Sequence, residues 1–313
     1  MLRGRAFGIG ATAVLFAGLA FLISTRGGTP AGTIRVPGGP QGLATGDGAV
    51  WVASADDGWV SRLDPRSHHL TAKIHVGGAP ADAAFGGGSV WVTEPGRDEV
   101  VRVDAATHVT KKIPVGDTPT AIAADDSSVW VANNRANTIS RIDPATGAVA
   151  DTIRVGRRPA GVAVGAGSVW VTNAKDHTVA RIDPTTNSIV ATIPVGRVGA
   201  AIAANDGAVW VADINAGTVS RIDPTTNSVV ATTRVGTRPI AILAGDGAVW
   251  VANVEDNTVS RIDPTNDRVT ATVDVHSDPS ALAVFDRTVW VANEGDGVLS
   301  RLSTSTPRSA GRQ

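Results

Sequence analysis

A Val-Trp-Val core recurs seven times along the chain, at Trp51, Trp91, Trp130, Trp170, Trp210, Trp250 and Trp290, spaced by 39 or 40 residues. An arginine follows each tryptophan eleven residues later, from Arg62 to Arg301. Self-similarity at this period means a radial or stacked array of one supersecondary unit. Residues 200–235 show what the unit is. A short apolar run, 200–204, meets the turn signal Asn205-Asp206-Gly207. The β-rich run 208–212, a polar loop and the run 218–223 follow. A proline-led turn at Pro224 then enters 229–235. Four short strands joined by tight turns are the pattern of a propeller blade. The expected fold is therefore all-β, a seven-bladed β-propeller with four-stranded blades.

Counting strands also closes the ring. The first three strand types occur seven times, but the fourth follows only six of the blades, and the chain leaves the last blade at Arg301-Leu302. A lone copy of the fourth type, Thr33-Ile34-Arg35-Val36, precedes the first blade. The N-terminal strand is expected to join the last blade and leave no blade incomplete. The chain then divides into a leader (1–32), a propeller (33–302) and a disordered tail (303–313).

The leader differs from the rest. After Arg3 and Arg5, residues 6–25 carry no charge. That length matches either a cleaved secretion signal or an uncleaved membrane anchor. Basic residues on its short N-terminal side place the propeller outside the cytoplasm, secreted or membrane-anchored. There are no cysteines, which removes disulfides, thiolate zinc sites and thiol catalysis. The formal net charge is −1, and no basic run is interleaved with aromatics, so nucleic acid is not an expected partner. The chain is expected to act as a monomer.

Units such as VWVANVEDNTVSRIDPTNDRVTATVDV (249–275) resemble YVTN-type propeller repeats, and the resemblance covers residues 33–302. That superfamily includes binding and surface proteins, the virginiamycin B lyase group and lactonase-like enzymes. The resemblance implies the fold and leaves function to the sites. For the lyase group it implies a glutamate and a histidine two residues apart, acting with Mg²⁺. No Glu-x-His occurs in this sequence.

What every unit shares serves the blade, so function is sought where the units differ. The variable segments are the loops between second and third strands and the crossings between blades, which share one end of a propeller. Arg135, Arg157, Arg158, Lys175, Arg197 and Arg238 fall in blades three to five and the crossing into six. Glu255, Asp256, Asp278, Glu294, Asp296, Asp56, Asp57, Glu94 and Asp98 fall in the others. The expectation is a basic crescent opposite an acidic one, the crescent serving a protein, glycan or small anionic ligand. A non-enzymatic binding scaffold is the first reading. The alternative is a metal-assisted lyase or lactonase. Ser54, Glu94, Asn133, Asn173, Asp213, Asn253 and Asn293 each end a second strand with an oxygen-bearing side chain. They either cap their own loops or supply oxygens, Glu94 and Asp213 foremost, to Mg²⁺ or Ca²⁺. In the alternative reading His177 and His276, both near the loop face, are candidate general bases.

Overall fold

The computed structural model describes residues 32–196, 199–205 and 207–304. Its strands form seven four-stranded antiparallel sheets, each an uninterrupted meander except the last. In blade one the order from inside out is Pro40–Gly46, Ala49–Ser54, Trp59–Leu63 and Leu70–His75. Blade seven consists of Pro279–Phe285, Thr288–Asn293 and Val298–Ser303, completed by the N-terminal strand Thr33–Arg35. Thr33, Ile34 and Arg35 pair with Ser300, Leu299 and Val298, and the Val36 amide donates to the Gly297 carbonyl at 2.9 Å. The chain ends are thus joined as the strand count requires.

The core repeats seven times between blades. All seven repeat tryptophans are at most 2% exposed. Because successive side chains of a strand point to opposite faces, each tryptophan faces the next blade while its flanking valines face the previous one. Trp51 packs with Val90 and Val92, Trp130 with Val169 and Val171, and Trp170 with Val209 and Val211. At the closing interface Trp290 packs with Val50, Val52 and Leu63, joined by Val36. Covering on both faces explains why the second strands read as unbroken apolar runs.

The repeat arginines reinforce the same interfaces. Each stands directly opposite its tryptophan across the second and third strands, as Trp170 opposite Arg181. In six blades the guanidinium carbon lies 5.0–5.9 Å from the ring centroid, a cation–π contact. In Arg141, Arg181, Arg221 and Arg301 the fork then reaches the next blade, whereas Arg62, Arg102 and Arg261 bond to Thr71, Ser89 and Thr270 of their own. Arg181 Nη1 donates to the Pro224 carbonyl at 2.6 Å and to Asn227 Oδ1 at 3.0 Å. Arg221 pairs with Asp267 at 3.1 Å instead. Across the closing interface Arg301 hydrogen-bonds to His68.

The turns between third and outer strands rest on aspartate. Asp143 Oδ1, for example, accepts from the Ala145 amide at 2.8 Å, which builds the turn from the side chain. Asp104, followed by Ala105 rather than proline, does the same with the Thr107 amide at 2.8 Å, so the turn does not require proline. Amides aimed at these carboxylates hold Asp64 and Asp104 below their usual range. His68 and His108 have left-handed backbones (φ 63° and 60°) in these turns and lie beside Trp290 and Trp51 of the preceding blade.

Among the described residues no helix is long and apolar enough to cross a membrane. The leader, apart from Gly32, and the tail beyond Thr304 lie outside the described residues. Replacing a repeat tryptophan by alanine leaves a cavity between two blades. Trp170→Ala and Trp290→Ala are each expected to lose about 3–5 kcal/mol in denaturant unfolding. A loss near zero for Trp290→Ala would show that the last interface does not close the ring.

Candidate functional site

Loops and crossings form one face because they hydrogen-bond to each other. The Ala174 and Lys175 amides donate to the Arg158 and Arg157 carbonyls at 3.0 and 3.2 Å. Asn134 Nδ2 donates to the Pro159 carbonyl at 2.9 Å, and the Arg158 amide to Asn137 Oδ1 at 2.8 Å. These bonds bring Arg135, Arg158 and Lys175 into one sector spanning blades three and four. All three are exposed, and no carboxylate lies within 4 Å of their charges among the described residues. Arg158 and Arg238 hold left-handed backbones, φ 53° and 56°, which few arginines adopt.

Two other members of the crescent already have counter-ions. Arg157 Nε meets Asp176 Oδ1 at 2.5 Å, and the Arg157 amide with this guanidinium holds the Asp176 carboxyl below its usual range. Arg238 Nη1 lies 3.6 Å from Glu255. Arg197 lies outside the described residues. The unpaired positive charge is therefore narrower than the sequence suggested.

The second-strand termini Ser54, Glu94, Asn133, Asn173, Asp213, Asn253 and Asn293 are all buried, at most 4% exposed. Asn133 Nδ2 donates to Thr138 Oγ1 at 3.0 Å and Ser140 Oγ at 2.9 Å, and Asn253 repeats the arrangement. Asp213 Oδ1 accepts from the Asn215 and Ala216 amides, both at 3.0 Å. These side chains cap their own loops. Ser54 Oγ has no partner among the described residues, and Glu94 differs by bringing a longer carboxylate side chain to the position. It stands opposite Glu99, where blade three has Asn133 opposite Thr138. Its Oε2 accepts from the Ala79 amide at 2.9 Å, but its Oε1 is buried with no partner among the described residues. Solvent does not touch it, although it lies directly beneath the crossing at Gly78. Burial pushes its carboxyl up to about 7, against the pull of the Ala79 amide and Arg97.

A divalent cation of the kind the resemblance implies does not fit these residues. Mg²⁺ and Ca²⁺ take six or more oxygens, commonly with carboxylates converging on one point. Glu94 and Asp213 belong to blades two and five, each bonded to its own surroundings. Among the described residues no three His, Asp or Glu side chains converge as a metal site would need. The histidines do not meet either. His276 Nδ1 lies 3.2 Å from Asp296 and its Nε2 lies 2.9 Å from Thr33 Oγ1, over the outermost strand of blade seven. His177 immediately precedes the third strand of blade four, Thr178–Asp183, and its carbonyl accepts from the Val195 amide at 2.9 Å. Neither histidine lines the central cavity.

That cavity holds a carboxylate for which the sequence reading made no place. The seven inner strands enclose about 320 Å³ around the axis. Their approach is close: a Cβ on Gly42 would meet the Ala83 nitrogen at 2.9 Å. The equivalent residues are accordingly small, Ala121, Gly161, Ala201, Ala241 and Ala281. In blade two that position is Asp82. Its Oδ1 accepts from its neighbour's Ala83 amide at 2.8 Å, and its Oδ2 accepts from Ile122 of blade three at 3.0 Å. Asp82 is half-buried in the cavity wall, and this desolvation pushes its carboxyl up to about 6 despite both amides. Aligning the seven units residue by residue exposes the substitution.

The model of the virginiamycin B lyase family matches residues 32–302. No curated protein matches the chain in sequence. Among solved structures it is similar to a streptogramin B lyase, with 19% identity and a TM-score of 0.75 over 87% of this chain and 97% of that one. It is also similar to hydrazine synthase of Kuenenia stuttgartiensis (15% identity, TM-score 0.75, 89% and 99% covered). The WD40 propeller domain of Doa1 is a further likeness (14% identity, TM-score 0.76, 90% and 98% covered). At these identities the structural likenesses speak for the fold alone.

A carboxyl whose folded-state value is raised favours the folded state only while protonated. Stability linked to Asp82 is therefore present below about pH 4 and lost as pH rises through about 6. Asp82→Asn is expected to match the parent near pH 4 and to exceed it by about 1–3 kcal/mol at pH 8, read from denaturant unfolding at both values. Equal stability at pH 8 would show that the cavity does not disfavour the charge.

Proposed function

This chain belongs to the virginiamycin B lyase family, and from that premise we propose that it keeps the family's propeller as a binding module without lyase chemistry. The module presents its crossing face to an anionic group on a protein, glycan or small molecule. One observation carries the reading: Arg135, Arg158 and Lys175 stand exposed and unpaired on backbone fixed by inter-loop hydrogen bonds. Prepositioned charge of one sign steers an oppositely charged partner and sets its orientation. The leader, with its basic start and uncharged run, supports a location outside the cytoplasm, either secreted or membrane-anchored.

Lyase chemistry is set aside on the residues. The sequence contains no Glu-x-His, and the carboxylates and histidines that would replace it are spread over separate blades.

The test uses the propeller as bait in cell-envelope extract and culture fluid, beside Arg135→Glu/Arg158→Glu/Lys175→Glu. Binding of the captured partner is expected to weaken at least about tenfold in the triple variant and to fall as salt rises. A partner held equally by both baits would overturn the placement of the site. Incubation with virginiamycin B and Mg²⁺ is expected to leave that compound intact; its cleavage would overturn the non-enzymatic reading.

A further inference from the structure

The axial cavity combines one carboxylate with an otherwise neutral lining of small, polar and aliphatic residues. Asp82 is its only titratable lining residue among the described residues. Gln41 and Thr120, on the blades either side of Asp82, also line it. Gln41 Nε2 donates to Glu294 Oε1 at 2.7 Å, which leaves its carbonyl oxygen for another donor. Thr120 Oγ1 has no partner among the described residues but is closed off from the cavity. Blades four to six contribute apolar groups, chiefly Val162, Ile202 and Ile242.

We propose that this cavity binds a small primary organic ammonium ion, with the ammonium on the Asp82 carboxylate and the Gln41 carbonyl oxygen and a short apolar portion against Val162, Ile202 and Ile242. An ammonium group carries three donors and no acceptor. The Asp82 carboxylate and the Gln41 carbonyl oxygen on the neighbouring blade offer it acceptors, and the carboxylate makes its contact charge-assisted. A hard divalent ion lacks the further carboxylates it needs here. A bare potassium ion would leave most of 320 Å³ unfilled and gain nothing from the aliphatic lining. Burial makes an ionised Asp82 costly above about pH 6, so a cation beside it removes an existing penalty. The site is separate from the basic sector on the crossing face and stands or falls independently of it.

Calorimetric titration of the propeller with n-butylammonium chloride near pH 7.5 tests the proposal, with n-butanol and potassium chloride as comparators. One-to-one binding of butylammonium is expected in the millimolar range or tighter, with none by the comparators. Asp82→Asn is expected to weaken it about tenfold or more. Tryptophan fluorescence of the variant, unchanged from the parent, excludes loss of the fold. Absence of butylammonium binding, binding unchanged in Asp82→Asn, or equally tight binding of potassium would overturn the proposal.

Discussion

The fold depends on a tryptophan from each blade packing against two valines of the next. A four-stranded sheet of this size has two apolar faces and cannot cover either alone. Neighbours cover both, and the arrangement has no free end only when the seventh blade meets the first. Trp290 against Val50 and Val52 makes that contact, and the strand 33–35 completes the sheet that carries it. In four of the seven blades the arginine opposite the tryptophan extends the contact to the next blade's turn, so ring stacking and turn conformation support each other there.

Legibility in the sequence followed this repetition. Whatever recurs at every fortieth residue is visible as a pattern, so the blade count, the strands and the closure by Thr33–Arg35 could all be read. Pairings set by the curvature of the ring could not. Arg157 finds Asp176 because a crossing folds over a loop nineteen residues away, and His68 meets Arg301 because the two ends of the chain are neighbours. Asp82 was hidden differently. Its run of small residues looks like filler, and its significance appears only once the axis is known and an amide from Ile122 is seen to reach it.

The family's fold is kept by the residues that recur in every blade. Every blade needs its tryptophan, valines and arginine, which leaves the inner-strand and loop positions to vary without cost to the ring. Blade two uses that freedom most, with Asp82 at the axis and Glu94 opposite Glu99, both glutamates replacing neutral residues of blade three. Raised carboxyls at Asp82 and Glu94 mark where burial has been accepted without a matching charge.

Closure by the N-terminal strand is tested most directly by hydrogen exchange of the segment 298–303. If residues 33–35 cover it, its amides exchange as slowly as those of the equivalent third strand, Thr258–Asp263, in blade six. Exchange as fast as that of the outer strand Leu70–His75 would mean that the last blade has an open edge and that the ring is not closed as described.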